Sequence, residues 1–400
     1  MNEFSEVLTQ TYQKATNMRI PLAKPEFDED EILALRACLN SGWVTQGPAT
    51  KNFEHLIAQR HQVQHALATT SCTAALHLAT MALGLKPGDE VLVPAFTWVT
   101  SAHSVEYVGA KPVFVDVDPQ TFNIDPERLE AARTPRTKAI IAVHLFGLAA
   151  AMDEIKAFSS QHNIRIIEDA ACAIGSLYKG VPVGGLGDIG CFSFHPRKVI
   201  TTGEGGAVTT NDPEYARRVA YLRNHGATGL PPDDPKAEMP WTMALFDEVG
   251  YNLRLSDIQS AVGVAQFSKL SRLLEERRSR AGVYSRKLAG IDRIVLPTAG
   301  IGANDHTYQS YVIRIDGADR GARNEVMRHL AAKDISTRPG THAVHRLGYY
   351  AKKYGLKPEA YPNAALCEDT SITLPIFPGM TDEQQDLIVD AVKAALRSIN

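Results

Sequence analysis

The sequence has little that would cross-link it, hold a metal or attract a polyanion. Its five cysteines lie far apart, form no C-x-x-C pair and are odd in number. This argues against a disulfide framework and a zinc site, and it indicates a reducing compartment. The net charge at pH 7 is −3, so neither a nucleic acid nor an anionic membrane is expected as the main partner.

Segments that enter or span membranes are also missing. The opening residues MNEFSEVLTQTYQK are acidic and amphipathic, whereas a signal peptide has a basic start followed by an apolar run. The longest apolar stretch, AALHLATMALGL, is too short to cross a bilayer. These features predict a cytoplasmic protein.

Three common catalytic motifs do not occur. The chain lacks G-x-x-x-x-G-K-[ST], G-x-S-x-G and H-E-x-x-H, which argues against a P-loop NTPase, an α/β-hydrolase and a zincin. The glycines of VPVGGLGDIGC precede a strand, whereas a dinucleotide fingerprint follows one. No metal site is therefore expected, and no nucleotide-binding loop of these types.

What is present is an alternation of short apolar runs and helix-like segments. Runs without polar alternation are typical of strands buried on both faces, so an α/β fold with a mostly parallel sheet is predicted. The predicted strands are 65–69, 91–96, 112–118, 138–147, 165–169, 188–194 and 206–210.

The chain length of 400 residues favours two lobes. We expect an N-terminal segment 1–45, a large α/β domain 46–268 and a small α+β domain 269–400. The small domain should contain a charged helix from residue 270, a strand near 311 and a terminal helix capped by Thr381. The proline-rich segment 230–240 is predicted to be a surface loop.

Ligands of open α/β sheets bind outside the carboxyl ends of the strands, and two of the loops there follow early strands. Cys72 and Thr73 begin a helix after Ser71, which predicts either an anion site at free N–H groups or simple N-capping. Phe96 and Trp98 follow the next strand, where an aromatic ring either stacks on a planar ligand or packs into the core.

Two later loops carry ionisable groups. Glu168 and Asp169 end an apolar strand, as a helix cap or as acceptors directed into a site. Ser193 and Lys198 lie at the junction of a strand with the glycine-rich GEGG, where a lysine is either a surface residue or an amine held in a site. Together the four loops supply an amine, a carboxylate, a flat aromatic ring and a phosphate cradle, the parts that a pyridoxal phosphate site needs.

With these motifs the sequence resembles the DegT/DnrJ/EryC1/StrS family of sugar aminotransferases, which are fold type I pyridoxal phosphate enzymes. The resemblance extends over nearly the whole chain. It is carried by GWVTQGP, SCTAALHLA, GDEVLVPAFTWVTSA, VFVDVDPQTFNID, TKAIIAVHLFG, IEDAACAIGSLYKG, GDIGCFSFHPRKVITTGEGG, VGYNLRLSDIQSAVG and SITLPIFPGMTDEQQD.

The resemblance implies a role for each matching residue. Lys198 is implied as the lysine that binds the cofactor covalently, and Asp169 as the partner of the pyridine nitrogen. Ser193 and the backbone of Cys72 and Thr73 would bind the phosphate. Trp98 would stack on the ring.

The resemblance also implies a homodimer with its sites at the subunit interface. Asn252 would reach the phosphate of the neighbouring subunit, and Arg254 a substrate carboxylate. His195 and His345 are further candidate substrate ligands, the latter within a polar segment that also holds His342 and Arg346. The alternative for that segment is a solvated polar face.

One position departs from the family. Many members have Gln, His or Glu three residues after the aspartate, near the cofactor's O3′ and the sugar, where this chain has Cys172. Cys172 is either a cofactor contact or a small packing residue. Relatives that replace the lysine with histidine are dehydratases, and Lys198 argues against that branch.

The implied activity is amino transfer from L-glutamate to a keto-sugar. A nucleotide-linked 4-keto or 3-keto deoxyhexose is expected, for the synthesis of amino-sugars of cell-surface polysaccharide such as lipopolysaccharide O-antigen. The alternatives are a free, octulosonate-like keto-sugar acid, a sugar dehydratase dependent on the same cofactor, and a regulator that binds without turnover.

Overall fold

A seven-stranded sheet lies at the centre of the computed structural model, which describes residues 20–228, 239, 241–300 and 305–398. The strands are β1 His65–Thr69, β2 Glu90–Pro94, β3 Phe96–Thr97, β4 Lys111–Val115, β5 Thr137–Val143, β6 Arg165–Asp169, β7 Leu177–Tyr178, β8 Val181–Pro182, β9 Ile189–Ser193, β10 Gly206–Thr210, β11 Ala227–Thr228, β12 Leu245–Phe246, β13 Ile294–Val295, β14 Tyr311–Ile315, β15 His342–Ala343 and β16 Ser371–Leu374. The order in the large sheet is β1-β10-β9-β6-β5-β2-β4.

Helices cover this sheet and connect its strands. They are α1 Glu29–Ser41, α2 Pro48–His61, α3 Cys72–Ala82, α4 Thr100–Tyr107, α5 Leu129–Ala132, α6 Met152–His162, α7 Pro213–Leu222, α8 Asp257–Ser268, α9 Leu270–Leu288, α10 Arg320–Ala331, α11 Gly348–Tyr354, α12 Pro362–Thr370 and α13 Asp382–Ser398. Several begin at side-chain caps that satisfy first-turn N–H groups, such as Asp28, Ser71 and Ser256.

The sheet is mostly parallel, as predicted. Strands β9, β6, β5, β2 and β4 run parallel, and β10 runs antiparallel to β9 and β1. Successive residues of β2 pack on opposite faces, because Val91 and Val93 belong to one apolar cluster and Leu92 to another. The alternation explains the absence of polar residues in these strands, since both faces are buried.

A second, antiparallel sheet of β13, β14 and β16 has its own apolar core. Helices α9, α10 and α13 contribute to this core, and Ile20 joins it from the start of the described chain. The terminal helix begins at Thr381, whose Oγ1 accepts a hydrogen bond from the Gln384 N–H at 3.2 Å. The cap predicted there is confirmed.

Two strand predictions are too long. The run 138–147 leaves the strand after Val143 and turns at residues 145–147, where Phe146 has a left-handed φ of 58°. The run 112–118 ends as a strand at Val115. The apolar composition of both continuations reflects burial in a turn, which sequence patterns do not separate from burial in a sheet. The opening residues MNEFSEVLTQTYQK and nearly all of the segment 230–240 lie outside the described residues.

Candidate active site

The carboxyl ends of the parallel strands open into a cavity of about 270 Å³. Its walls come from both sheets, because Thr373 and Leu374 of β16 line it together with loops that follow β3, β6 and β9. Most of the predicted site residues lie here, namely Cys72, Thr73, Trp98, Asp169, Cys172, Ser193, His195 and Lys198.

Lys198 reaches the cavity from a tight turn after β9. Its N–H donates to the carbonyl of His195 at 2.8 Å, which closes a turn over residues 195 to 198 just past the strand. The Lys198 Nζ then donates to the Cys172 Sγ at 3.1 Å. Lys198 is therefore an amine held inside a site and not a surface lysine.

Asp169 ends β6 and is held by two donors. The Ser101 Oγ donates to its Oδ2 at 2.7 Å, and the Ala171 N–H donates to its Oδ1 at 3.2 Å. The residue is only 5% exposed. A buried carboxylate fixed in this way offers a defined acceptor to a ligand in the cavity.

Glu168 faces the opposite side of the sheet and does not line the cavity. It accepts hydrogen bonds from His144 Nε2 at 2.9 Å and from the N–H groups of Gly184, Leu186 and Gly187 at 2.7 to 2.8 Å. Burial opposes its ionisation, yet the bonds from His144 and the backbone outweigh burial and lower the pKa of Glu168. Of the two predicted carboxylates, Glu168 ties the sheet to the following loop and Asp169 serves the site.

The first turn of α3 and two strand ends form an anion cradle. Ser71 accepts from the Ala74 N–H at 3.1 Å, and within the described chain the N–H groups of Cys72 and Thr73 are left without acceptors. Gly206 lies opposite Ser193 in the sheet and directly against this turn, since a Cβ on it would lie 2.4 Å from the Ser71 carbonyl carbon. The close approach places two N–H donors and a serine near one point.

The aromatic residues of the second loop have separate roles. Phe96 is fully buried in the core, whereas Trp98 is 55% exposed and lines the cavity. The Trp98 ring centroid lies 5.6 Å from that of His342. Trp98 is therefore the aromatic of this loop that is available to a planar ligand.

His195 is partly buried at the rim of the cavity. Its Nδ1 accepts from the Arg197 N–H at 3.2 Å, so the turn fixes the orientation of its ring. Burial lowers the pKa of His195, and the nearby Lys198 and Arg197 charges act in the same direction. The Glu204 charge opposes this lowering of the His195 pKa but does not outweigh it.

Three predicted residues lie outside the cavity of this protomer. Asn252 and Arg254 lie two positions apart in one loop. Asn252 forms a backbone bridge with Asn224, and the Arg254 Nη1 donates to the Asn224 Oδ1 at 2.5 Å. A reach from these two residues into a neighbouring subunit stays a prediction.

The prediction that His345 binds substrate is wrong. His345 is fully buried, and its Nε2 lies 3.0 Å from the carbonyl of Pro358, which it bonds instead of a ligand. Arg346 of the same segment is paired with Glu368 and Asp369. Both residues have polar side chains, and no local pattern indicates that contacts within the protein would occupy them.

Sequence reasoning missed four groups of this region. Ser101 and His144 support the two carboxylates, and Arg338 and Thr341 line the cavity from the segment between α10 and β15. No local motif marks Arg338 or Thr341, because they reach the cavity only through the pairing of β15 with β3 and of Arg338 with Thr373.

The described residues fit pyridoxal phosphate. Lys198 offers the amine, Asp169 a buried acceptor for the pyridine N–H, the α3 cradle with Ser193 a phosphate site, and Trp98 a flat face. Gly206 lets the first turn of α3 lie against the sheet, where a side chain would clash with the backbone of Ser71 and Cys72. A cavity of this composition at the carboxyl ends of an α/β sheet defines a pyridoxal phosphate enzyme.

Comparisons with known proteins agree with the assignment to a pyridoxal phosphate enzyme. The model of the DegT/DnrJ/EryC1/StrS aminotransferase family matches residues 25–393, and the chain belongs to this family. It is 39% identical over 380 residues to the GDP-perosamine synthase of Caulobacter vibrioides, which covers 94% of this chain and 98% of that protein. It is 35% identical to the spore coat polysaccharide biosynthesis protein SpsC of Bacillus subtilis, over 94% and 97% of the two chains.

Solved structures identify the fold type and the cofactor. Spr1654 of Streptococcus pneumoniae in its PMP form superposes with a TM-score of 0.90 at 32% identity, over 96% of this chain and 100% of that one. Its PLP form superposes with a TM-score of 0.88. The protein is thus a fold type I, pyridoxal-phosphate-dependent sugar aminotransferase. No helix in the described part of the chain is both long and apolar enough to cross a membrane.

Proposed function

We propose that the enzyme transfers the amino group of L-glutamate to a nucleotide-linked 4-keto or 3-keto deoxyhexose. The observation that carries the amino transfer is the Lys198 amine, held by Cys172 in the same cavity as the buried Asp169. The nucleotide-linked acceptor is supported by the 39% identity to a GDP-perosamine synthase, whose name specifies a nucleotide-linked product.

The chain's own residues divide the work. Bound pyridoxal phosphate supplies an electron-withdrawing ring that accepts negative charge from the donor's α-carbon. Asp169 holds the proton on the pyridine nitrogen, and its bond from Ser101 fixes it in place for that purpose. The α3 cradle and Ser193 bind the phosphate, and Trp98 packs on the ring.

Lys198 is the proton carrier in this proposal. With the cofactor and donor bound, its amine would take the proton from the donor's α-carbon and deliver it to the cofactor's C4′. In the second half the amine would move a proton the opposite way, from C4′ to the sugar carbon that receives the amino group. No other amine lines the cavity among the described residues.

We further propose the surroundings in which the enzyme acts. A homodimer would bring Asn252 and Arg254 of each subunit towards the site of the other.

The five cysteines are free thiols, four of them buried, which supports a cytoplasmic location. The two-lobed division at residues 268 and 269 is supported by the break between α8 and α9 at Lys269. A product destined for cell-surface polysaccharide is supported by the relation to SpsC, whose name specifies spore coat polysaccharide. Lipopolysaccharide O-antigen is the form that we propose.

A panel of acceptors tests the substrate. The enzyme is first converted to its pyridoxamine form with L-glutamate and then mixed with nucleotide-linked 4-keto and 3-keto deoxyhexoses and with free keto-sugar acids. A nucleotide-linked sugar should give a far higher kcat/KM than the free acids. The reverse ranking would favour the keto-sugar acid, and release of water without amino transfer would favour a dehydratase.

A further inference from the structure

A thiol and the cofactor-binding amine are in direct contact inside the cavity. The Cys172 Sγ accepts a hydrogen bond from the Lys198 Nζ at 3.1 Å, and both residues line the cavity. Both are only partly buried, so a small molecule that enters the cavity can reach them. The proton transfers proposed for the reaction use the amine and leave the thiol unused.

Cys172 is also the cysteine that is most open to a reagent. The other four, Cys38, Cys72, Cys191 and Cys367, are all buried. Cys72 lines the same cavity, but the residue is only 9% exposed. A small oxidant in the cavity therefore meets the Cys172 sulfur first.

The electrostatic surroundings of Cys172 favour its oxidation. Lys198 bonds the sulfur, and the Arg338 guanidinium interacts electrostatically with the same thiol. Oxidants modify cysteines that lie beside lysine or arginine and are open to solvent, because the thiolate is the nucleophile. The two cations are an observation separate from the exposure of Cys172, and both favour the same chemistry.

We propose that hydrogen peroxide links Cys172 and Lys198 as a sulfenamide, in which the Cys172 sulfur is bonded directly to the Lys198 nitrogen. The inference rests on Lys198 as the cofactor lysine and is independent of which donor and acceptor the enzyme uses. A sulfenic acid condenses with a nearby nitrogen in this way when the two are in contact. The 3.1 Å separation of Sγ and Nζ meets that condition.

The linkage forms in two steps that balance. The Cys172 sulfur attacks one peroxide oxygen, so that an S–O bond forms and the O–O bond breaks. The leaving hydroxide takes the thiol proton and departs as water, and the two electrons lost by sulfur reduce the peroxide. The Lys198 nitrogen then attacks the sulfur, so that an S–N bond forms and the S–O bond breaks. This second hydroxide takes a proton from the amine and leaves as water, with no further change of oxidation state.

The link would act as a reversible block of the site. A nitrogen bonded to sulfur cannot bond pyridoxal phosphate, so the linked enzyme loses its covalent attachment of the cofactor. The link also stops oxidation before the sulfinic acid, which cellular thiols do not reduce. Two molecules of an added thiol supply the two electrons that regenerate the Cys172 thiol and the Lys198 amine, and they leave as a disulfide.

The test compares two cofactor forms of the whole enzyme. Pyridoxal phosphate bonds the Lys198 amine, whereas pyridoxamine phosphate carries its own amino group and leaves the lysine free. Protein loaded with each form is treated with hydrogen peroxide, digested without reduction and examined by peptide mass spectrometry. The pyridoxamine form should give a peptide that joins Cys172 to Lys198 and is lighter than its two parts by two hydrogen atoms. The pyridoxal form should give little or none of it.

A second readout is the binding of pyridoxal phosphate after the peroxide is removed. The fraction of protein that no longer gives the visible cofactor band should equal the linked fraction, and dithiothreitol should restore the band. Cys172→Ser should give no link and no loss of the band. Cys38→Ser, which changes a buried cysteine outside the cavity, should behave as the unsubstituted protein does.

Lys198→Arg separates the amine from its charge. It keeps a cation beside Cys172 and removes the nitrogen that attacks, so peroxide should carry Cys172 on to the sulfinic acid, which dithiothreitol does not reverse. The melting temperature of each variant checks its fold, and the two cofactor forms of the unsubstituted enzyme carry the test if a variant unfolds.

Three results would overturn the proposal. The first is an oxidised Cys172 with an unmodified Lys198 peptide in the pyridoxamine form. The second is a disulfide between Cys72 and Cys172 in place of the link. The third is equal linking in the two cofactor forms, since the amine would then not be the group that limits the reaction.

Discussion

The Lys198 amine donates a hydrogen bond to the Cys172 thiol at 3.1 Å, across the loops that follow β9 and β6. The bond holds the lysine in the cavity that Asp169 also lines. Cys172 is the one cysteine that is not buried. The pair therefore offers a chemical reporter inside the site.

Alkylation of Cys172 should be selective and should depend on the cofactor. Burial raises the pKa of Cys72 and Cys191 well above the usual range, with the Asp169 charge acting in the same direction, and it raises the pKa of Cys367 to about 12. Iodoacetamide should accordingly modify Cys172 first in the cofactor-free protein, and bound cofactor should slow the reaction. Peptide mass spectrometry of the labelled protein, with Cys172→Ser as control, measures this. Equal labelling of a buried cysteine would contradict the burial described here.

Ser101 should matter for turnover although it does not face the substrate. Ser101→Ala removes the 2.7 Å hydrogen bond to Asp169 and leaves that carboxylate less firmly placed. A hydrogen bond to a charged group contributes about 1.5 to 3 kcal/mol, so the rate of the L-glutamate half-reaction should fall roughly 10-fold or more. Ser104→Ala is the control, because Ser104 is equally buried and bonds the Ser101 carbonyl instead of Asp169. An unchanged rate in Ser101→Ala would show that the half-reaction does not depend on the hydrogen bond from Ser101 to Asp169.

Gly206→Ala should weaken cofactor binding. The added methyl group would lie 2.4 Å from the Ser71 carbonyl carbon and 2.6 Å from the Cys72 nitrogen, so the α3 turn must move. Overpacking of this kind costs about 1 to 3 kcal/mol, which corresponds to a roughly 5- to 150-fold higher Kd for pyridoxal phosphate. Gly348→Ala, where an added methyl group meets nothing within 4 Å, should bind the cofactor normally. Equal affinities in a fluorescence titration would show that the cradle lies elsewhere.

Acid should destabilise the protein through His61. Burial lowers the pKa of His61 from 6.5 to about 4 in the folded state. Because the folded pKa lies below the unfolded one, the unfolded state binds the proton first, and stability present above pH 6.5 is lost as the pH falls towards 4. The shift corresponds to about 3 kcal/mol of the free energy of unfolding.

Urea titrations at several pH values check this. The free energy of unfolding of His61→Gln should fall less between pH 6.5 and 4 than that of the unsubstituted protein. His55→Gln, which changes an exposed residue, should show the same pH dependence as the unsubstituted protein. The buried His306, with a pKa lowered by burial to about 3, should leave part of the acid sensitivity in both. Parallel pH curves for His61→Gln and the unsubstituted protein would contradict the role of His61.

The sequence predicted the parallel strands and the loops that carry Asp169 and Lys198 because apolar runs and turn residues are local signals. It did not predict that β10 would run antiparallel, although the chain from 194 to 205 holds no crossover helix and parallel neighbours need one. Strand ends were overestimated at Val143 and Val115 because burial continues into the turns.

The parts of the site that stayed hidden depend on contacts between distant segments. Ser101 and Asp169 are 68 residues apart, and Arg338 reaches the cavity from the segment between α10 and β15. The prediction for His345 is wrong because a polar side chain in a charged segment does not indicate burial. The structure buries His345 and bonds its Nε2 to the Pro358 carbonyl. Both the contacts between distant residues and the burial of His345 are set by the folded chain, so no local sequence pattern marks them.

The most direct test of the account is the absorption spectrum of the purified enzyme with pyridoxal phosphate, recorded before and after L-glutamate. Lys198→Ala, checked for its fold by circular dichroism, is recorded in parallel. The unsubstituted enzyme should show a visible band that glutamate bleaches, and Lys198→Ala should show neither catalytic bleaching nor turnover. Normal turnover in that variant, or no band in the unsubstituted protein with added cofactor, would contradict the assignment of Lys198.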